Sequence, residues 1–395
     1  NGDGRDDFFL GGSSRLEGTF FIQQADGAFR RQQQNLKKLP DKKEEDQGLL
    51  LFDADGDGDL DLYCARGSYQ QQVGSPLLQD VLYVNDGRGN FRPDSLALPR
   101  ETENSLAVKA ADYDRDGDLD LFVGGGVLPG SYPKASRSFL LRNDSRPGRP
   151  RFIDVTRQAA PGLASPGIIT DALWTDYDND GWVDLLLVGE WMRPIFFKNR
   201  QGRLSAGEIV LSPGWWTSLC GGDFDNDGDT DYVIGNYGLN TAFRASAKEP
   251  LDVWADDFDA NGSHDPILVQ YDNNQKGERH PYVYHTRDDL IKQSILFRRK
   301  FLTYADFGRS IWPDVLTGSQ RQQAEKHTVT NLASCYVENR GGGRFDIRPL
   351  PVEVQFSPVF GMLPYDVNED DLPDLLLVGN EYGMELLQGQ AGHLH

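Results

Sequence analysis

The chain has 395 residues, with 61 acidic against 40 basic side chains and a net charge of −21. That balance argues against nucleic acid, which is bound by cationic surfaces, and no apolar run is long enough for a membrane-crossing helix. Hydrophobic residues at 38% and aromatics at 11% are enough for a substantial core, and the three cysteines (Cys64, Cys220, Cys335), each in a strand-like apolar run, predict buried free thiols rather than a disulfide framework.

In chain order, the dominant feature is a nine-residue acidic stretch that recurs. A first copy is cut by the start of the chain, with Asn1, Asp3 and Asp7 at its positions 3, 5 and 9. Complete copies follow at 53–61 (DADGDGDLD), 112–120 (DYDRDGDLD), 176–184 (DYDNDGWVD), 223–231 (DFDNDGDTD), 257–265 (DFDANGSHD) and 366–374 (DVNEDDLPD). Alternate carboxylates on a tightly turning chain supply the six to eight oxygens that a hard cation such as calcium requires, and glycine at position 6 permits the sharp turn. One such stretch could be an ordinary Asp/Gly-rich surface turn. Six complete copies shift that balance, because carboxylates about 4 Å apart repel by roughly 4 kcal/mol per pair at an effective dielectric of about 20. An EF-hand is excluded: position 12, where it needs a bidentate Glu, is Cys64, Val123, Leu187, Ile234, Leu268 or Leu377.

The predicted ligands at positions 1, 3, 5 and 9, with position 7 contributing its main-chain carbonyl, are therefore Asp53, Asp55, Asp57, Asp59 and Asp61; Asp112, Asp114, Asp116, Asp118 and Asp120; Asp176, Asp178, Asp180, Trp182 and Asp184; Asp223, Asp225, Asp227, Asp229 and Asp231; Asp257, Asp259, Asn261, Ser263 and Asp265; Asp366, Asn368, Asp370, Leu372 and Asp374; and the truncated Asn1, Asp3 and Asp7. Asn261 at position 5 and Asp371 at position 6 depart from the pattern and predict weaker sites. Six divalent ions, carrying twelve positive charges, would bring the net charge from −21 to −9.

Each loop lies between an alternating run and a nearly continuous apolar one, such as LDLFVGGG after 112–120 and VDLLLVG after 176–184, as expected of a strand buried on both faces. A hairpin follows, clearest in VLYVNDGRGNF at 81–91. Four antiparallel strands recurring every 40–50 residues predict a β-propeller. Loop starts lie 59, 64, 47, 34 and 109 residues apart. The 34-residue unit reads as a minimal blade with short outer strands. The 109-residue gap reads as a helical insertion over 286–320 within one blade, opened by a capping box at Thr286 and Asp289. Seven loops predict an all-β, seven-bladed propeller forming one domain over 1–395, with eight blades as the alternative.

These loops, set between apolar strands, resemble the FG-GAP/VCBS repeats of integrin-type propellers. DYDRDGDLDLFVGGG, WTDYDNDGWVDLLLVGEWM and GDFDNDGDTDYVIGNYGLNT are closer still to surface proteins of the ASPIC/UnbV-associated, cartilage-acidic-protein-like group of Bacteroidota. The resemblance implies about six to seven calcium ions and an exported location at a bacterial outer-membrane surface, in the periplasm or outside the cell. It also implies that the chain is a piece of a longer protein whose other domains are partners.

Propeller geometry predicts all calcium loops on one face. The connections after each second strand emerge on the other, where Tyr132, Trp191, Arg193, Asn236, Tyr237 and Tyr382 form a candidate ligand surface for a glycan, an outer-membrane transporter or another envelope protein. The competing reading is that Trp191 and Tyr237 pack between blades. Arg298, Arg299 and Lys300 form a basic patch best read as a solvated helix face. No H-E-x-x-H, G-x-S-x-G or phosphate-loop motif is present, so a non-catalytic binding module is expected, with a propeller-type polysaccharide lyase as the alternative.

Overall fold

The computed structural model describes residues 2–32, 42–209, 211–381 and 391–394; Asn1 and Tyr382 fall outside them. The fold is β-propeller-like. Six sheets succeed one another along the chain. The first is Phe8–Leu10, Thr19–Gln23 and Phe29–Gln32, and the second Asp46–Phe52, Asp61–Arg66, Val81–Asn85 and Phe91–Asp94. The third is Ser105–Ala111, Asp120–Gly125, Phe139–Asn143 and Phe152–Asp154, and the fourth Ile168–Thr175, Asp184–Met192, Ile195–Asn199 and Leu204–Ile209. The fifth is Gly214–Gly222, Asp231–Asn236, Cys335–Asn339 and Phe345–Pro349, continuous with the fourth through pairing of Glu190 with Trp215 and Met192 with Gly214, and the sixth is Gly361–Tyr365, Asp374–Glu381 and Ala391–Leu394. Among the described residues the named strands pair antiparallel, with one isolated parallel bridge between Gly214 and Asn331, and from the second sheet onward the first strands stand beside one another in order.

The continuous apolar runs explain this stacking. Asp120–Gly125 and Asp231–Asn236 are buried along their whole length, because each of these two strands has a neighbouring sheet on both sides, whereas Leu376 and Val378 of Asp374–Glu381 are exposed. Phe122 and Leu140 of the third sheet pack with Leu185, Leu187 and Phe197 of the fourth, while Leu186 and Phe196 on the other side of the fourth sheet meet Trp216, Tyr232 and Ile234 of the fifth. Cys64, Cys220 and Cys335 are free and buried in these layers.

The region after 223–231 departs from expectation. The 34-residue unit is not a small blade. Its first two strands are completed by Cys335–Asn339 and Phe345–Pro349, and a separate sheet is inserted between Asn236 and Cys335. This inserted sheet contains loop 257–265 and consists of Leu251–Ala255, Ile267–Asn273, Arg279–Val283 and Glu325–Val329 in the spatial order third, second, first, fourth. Seven loops thus correspond to six successive sheets plus one inserted sheet of different strand order. The inserted sheet also upsets the one-face expectation for the loops. His264 N–H of loop 257–265 donates to Gly130 O at 2.9 Å, in the connection that follows a second strand.

Five short helices between Arg287 and Gln323 interrupt the inserted sheet. Thr286 caps the first, its hydroxyl accepting from Asp289 N–H at 3.3 Å. Leu290, Phe297, Trp312 and Val315 bury against Ile267 and Val269, which leaves Arg298, Arg299 and Lys300 exposed. Residues 306–314 are largely helical rather than a repeat loop. Trp312, 5% exposed, is the anchor of this layer. Trp312→Ala should cost about 3–5 kcal/mol of local stability, read as faster proteolysis within 286–323. Unchanged cleavage would show that the helices do not depend on this contact.

Candidate metal centre

Each loop is shaped by its own aspartates. The position-1 carboxylate folds the chain by accepting from main-chain N–H groups ahead of it: Asp112 from Asp116 at 3.1 Å and Gly117 at 3.2 Å, Asp176 from Asp180 at 3.1 Å and Gly181 at 2.7 Å, and Asp257 from Asn261 at 2.9 Å and Gly262 at 2.8 Å. Position 5 then accepts from position 7, as in Trp182 N–H to Asp180 at 2.9 Å and Ser263 N–H to Asn261 at 2.8 Å. Two residues take left-handed backbone, not one. Glycine at position 6 lies near φ +90°, and position 4 also turns left-handed at Arg115, Asn179, Asn226, Ala260 and Glu369. Asp371, at φ +66°, takes the sixth position of the last loop without glycine's freedom.

The loops bring ligand atoms together. Within 4.8 Å of one another lie carboxylate oxygens of Asp53, Asp55 and Asp57; of Asp112, Asp114 and Asp120; of Asp176, Asp178 and Asp184; of Asp223, Asp225 and Asp227; and of Asp257, Asp259 and Asp265. Among the described residues, loop 366–374 forms no such group. Asp120 and Asp184 are fully buried and Asp265 is 3% exposed, yet each keeps one oxygen without a hydrogen-bond donor. So do Asp59, Asp114, Asp118, Asp178 and Asp259, and both oxygens of Asp55 lack one. Buried carboxylate oxygens without donors are costly, and an all-oxygen set of this kind fits a hard divalent cation, not a thiolate- or imidazole-seeking one. Loop 176–184 has one extra neighbour: Lys198 bonds Asp178 and lies 3.0 Å from Asp180.

Sequence reasoning missed a recurring arrangement of asparagines that end third strands. Asn85, Asn143, Asn199 and Asn339 donate their N–H to position 9 of their own loop, at Asp61, Asp120, Asp184 and Asp231, over 2.6–2.8 Å. The signal was present as Asn opening each hairpin (VNDG, RNDS, KNRQ, ENRG), but it reads as turn chemistry alone.

On the other face, the predicted ligand residues divide. Trp191 is 5% exposed and lies at φ +59° on an irregularity between Glu190 and Met192. Its indole N–H donates to Tyr132, whose hydroxyl donates to Glu190 at 3.1 Å. Trp191 packs with Leu251, Val253 and Val329 of the inserted sheet, with Tyr132 and Tyr237 alongside. Asn236 is fully buried and holds Asn331 O and Ala333 O. Arg193 is exposed and donates to Leu211 O at 3.5 Å. The inserted sheet therefore covers part of this face. A cavity of about 470 Å³ remains where the first strands meet, lined by Gln47, Thr170, Glu190, Trp215, Thr217, Tyr237 and Phe360 among others. Trp215 stacks on Tyr237 with ring centroids 4.8 Å apart. It escaped sequence reasoning because it lies in a first strand.

Burial raises the position-9 carboxyls above their ordinary 3.8, Asp120 to about 8, Asp184 to about 7, and Asp61 and Asp265 to about 6. Such groups hold protons more tightly folded than unfolded, so cation-free stability falls as pH rises through this window. In EDTA the melting temperature should drop between pH 5 and pH 8; a rise across that range would show that these carboxyls are not strained when ionised.

No curated protein matches this sequence. Among solved structures, one describing recognition of non-reducing terminal N-acetylglucosamine by an Agrocybe aegerita lectin is 15% identical with a TM-score of 0.38, covering 89% of this chain and 90% of that one. The V. cholerae biofilm matrix protein Bap1 is 12% identical with a TM-score of 0.31, and the match covers 100% of this chain and 64% of Bap1. Segments 1–64, 53–123 and 176–234 match the model of the FG-GAP-like repeat. The three matching segments, which hold loops 53–61, 112–120, 176–184 and 223–231, carry FG-GAP-like repeats.

Proposed function

We propose that the chain is a calcium-stabilised, non-catalytic binding module of a bacterial cell surface. The observation that carries the metal part is the convergence of carboxylates in five loops, four of which hold buried, donor-free carboxylate oxygens. The aspartates at positions 1, 3, 5 and 9 would hold the cation, and its charge would relieve the repulsion among them. Oxygen-only loops suit the high free calcium outside cells, and the narrower ASPIC/UnbV-associated likeness belongs to the same proposal.

The ligand site in this reading is the axial cavity. Stacked Trp215 and Tyr237 offer flat apolar surface, and Glu190, Gln47 and Thr217 surround it with polar groups, a combination suited to a sugar ring or a peptide segment of an envelope partner. Lyase chemistry would need a base beside a cation that neutralises a substrate carboxylate. Arg193, the candidate cation, instead donates to Leu211 O.

Two experiments test this. A cation bound only by the folded state adds about 2.7 kcal/mol per site at a hundredfold excess over Kd, so EGTA should lower the melting temperature markedly and calcium restore it. An identical melting curve in both would overturn the metal reading. Separately, Trp215→Ala combined with Tyr237→Ala should abolish capture of ligands found by glycan array or envelope pull-down while calcium-dependent melting persists. Retained capture would move the site off the cavity.

A further inference from the structure

The third-strand asparagines reach beyond their own loops. Asn143 Nδ2 donates to Leu119 O of its own loop at 3.1 Å and to Ala54 O of the preceding loop at 3.0 Å. Asn199 Nδ2 donates to Val183 O at 2.9 Å and to Tyr113 O at 2.7 Å. Asn339 Nδ2 reaches Tyr177 O at 2.9 Å. Ala54, Tyr113 and Tyr177 each occupy position 2 of their loop, so the same bond recurs between loops 53–61, 112–120, 176–184 and 223–231. The three asparagines are at most 3% exposed, and each side-chain oxygen is also engaged, by Ser145, Gly202 or Gly341 N–H.

The bonded groups flank ligand positions on both sides. Within its own loop, each asparagine fixes the position-9 carboxylate through its main-chain N–H. In the preceding loop, its amide fixes the peptide between ligand positions 1 and 3. Asn339 keeps this role although the inserted sheet separates it from Asp231 by 108 residues, so the contact follows the architecture and not sequence proximity.

We propose that Asn143, Asn199 and Asn339 are positioning residues that couple cation binding in consecutive loops, so that loops 53–61, 112–120, 176–184 and 223–231 fill cooperatively. This rests on the calcium reading above. An asparagine ordered by cation binding in one loop holds the carbonyl that shapes the next, and such coupling is reciprocal.

Trp182 at position 7 of loop 176–184 provides a local reporter, since its indole can sensitise Tb3+ luminescence at that loop. Disabling the neighbouring loop with Asp225→Asn and Asp227→Asn, both exposed positions, should weaken Tb3+ binding at loop 176–184 about fivefold, the lower end of ordinary coupling. In an Asn339→Ala background the same change should have almost no effect, because the alanine keeps the main-chain bond to Asp231 and loses the relay together with the turn contact to Gly341. A merely structural role for Asn339 would lower the melting temperature without altering that ratio. Full fivefold weakening with Asn339 replaced, or none with it present, overturns the coupling. Absence of Trp182-sensitised emission in the unaltered chain overturns the cation reading itself. Should Asn339→Ala fail to fold, the same cycle across Asn199, with Asp114→Asn and Asp116→Asn disabling loop 112–120, decides the question in the same way.

Discussion

The structure depends on a buried aspartate at the junction of loop and strand. Position 9 ends each loop and, in loops 53–61, 112–120, 176–184, 223–231 and 366–374, is also the first residue of a second strand; Asp120, Asp184 and Asp231 are fully buried there. One oxygen is satisfied by the asparagine that ends the third strand, which fixes where that strand stops against the second. The other is committed differently from loop to loop. In loops 53–61 and 223–231 it accepts from position 2, at Ala54 or Phe224; in loops 112–120 and 176–184 it has no donor. Strand register, loop shape and the carboxylate cluster therefore meet on a single side chain, where an apolar substitute would keep the burial and lose all three.

Much of this was legible in the sequence because it is local. Alternating acids, a glycine at position 6 and the apolar run that follows are determined within a dozen residues, and the repeat made each copy support the others. The left-handed turn at position 4 was hidden because Arg115, Asn179 and Ala260 share no side-chain chemistry; only the backbone path demands it. The asparagine contacts were hidden for a different reason: Asn143 and Ala54 are 89 residues apart, and no pattern within one repeat reports a bond to the previous one.

Connectivity was the other thing the spacing concealed. A 34-residue interval looks like a compressed repeat when sheets are assumed to be completed in order. Pairing shows instead that Tyr232 and Ile234 wait for Val337 and Cys335, with a complete sheet and five helices in between. Trp191 illustrates how this changes the reading of a side chain. In an uninterrupted propeller an aromatic residue at the end of a second strand would face solvent, but here Leu251, Val253 and Val329 lie over it.

The nested sheet also bears on how the chain can fold. The fifth sheet joins strands more than 100 residues apart in sequence, and such non-local pairing is entropically slow to form. Asn236 offers a way around this: its backbone N–H donates to Ser334 at 2.9 Å, and its side chain holds Asn331 O and Ala333 O, so the two ends of the excursion are stapled at its base. An excursion that collapses first on its own apolar layer would deliver Cys335 to the waiting edge already in register. The remaining search would then span a few residues rather than a hundred, and an interruption of the propeller would become the element that allows it to close up quickly.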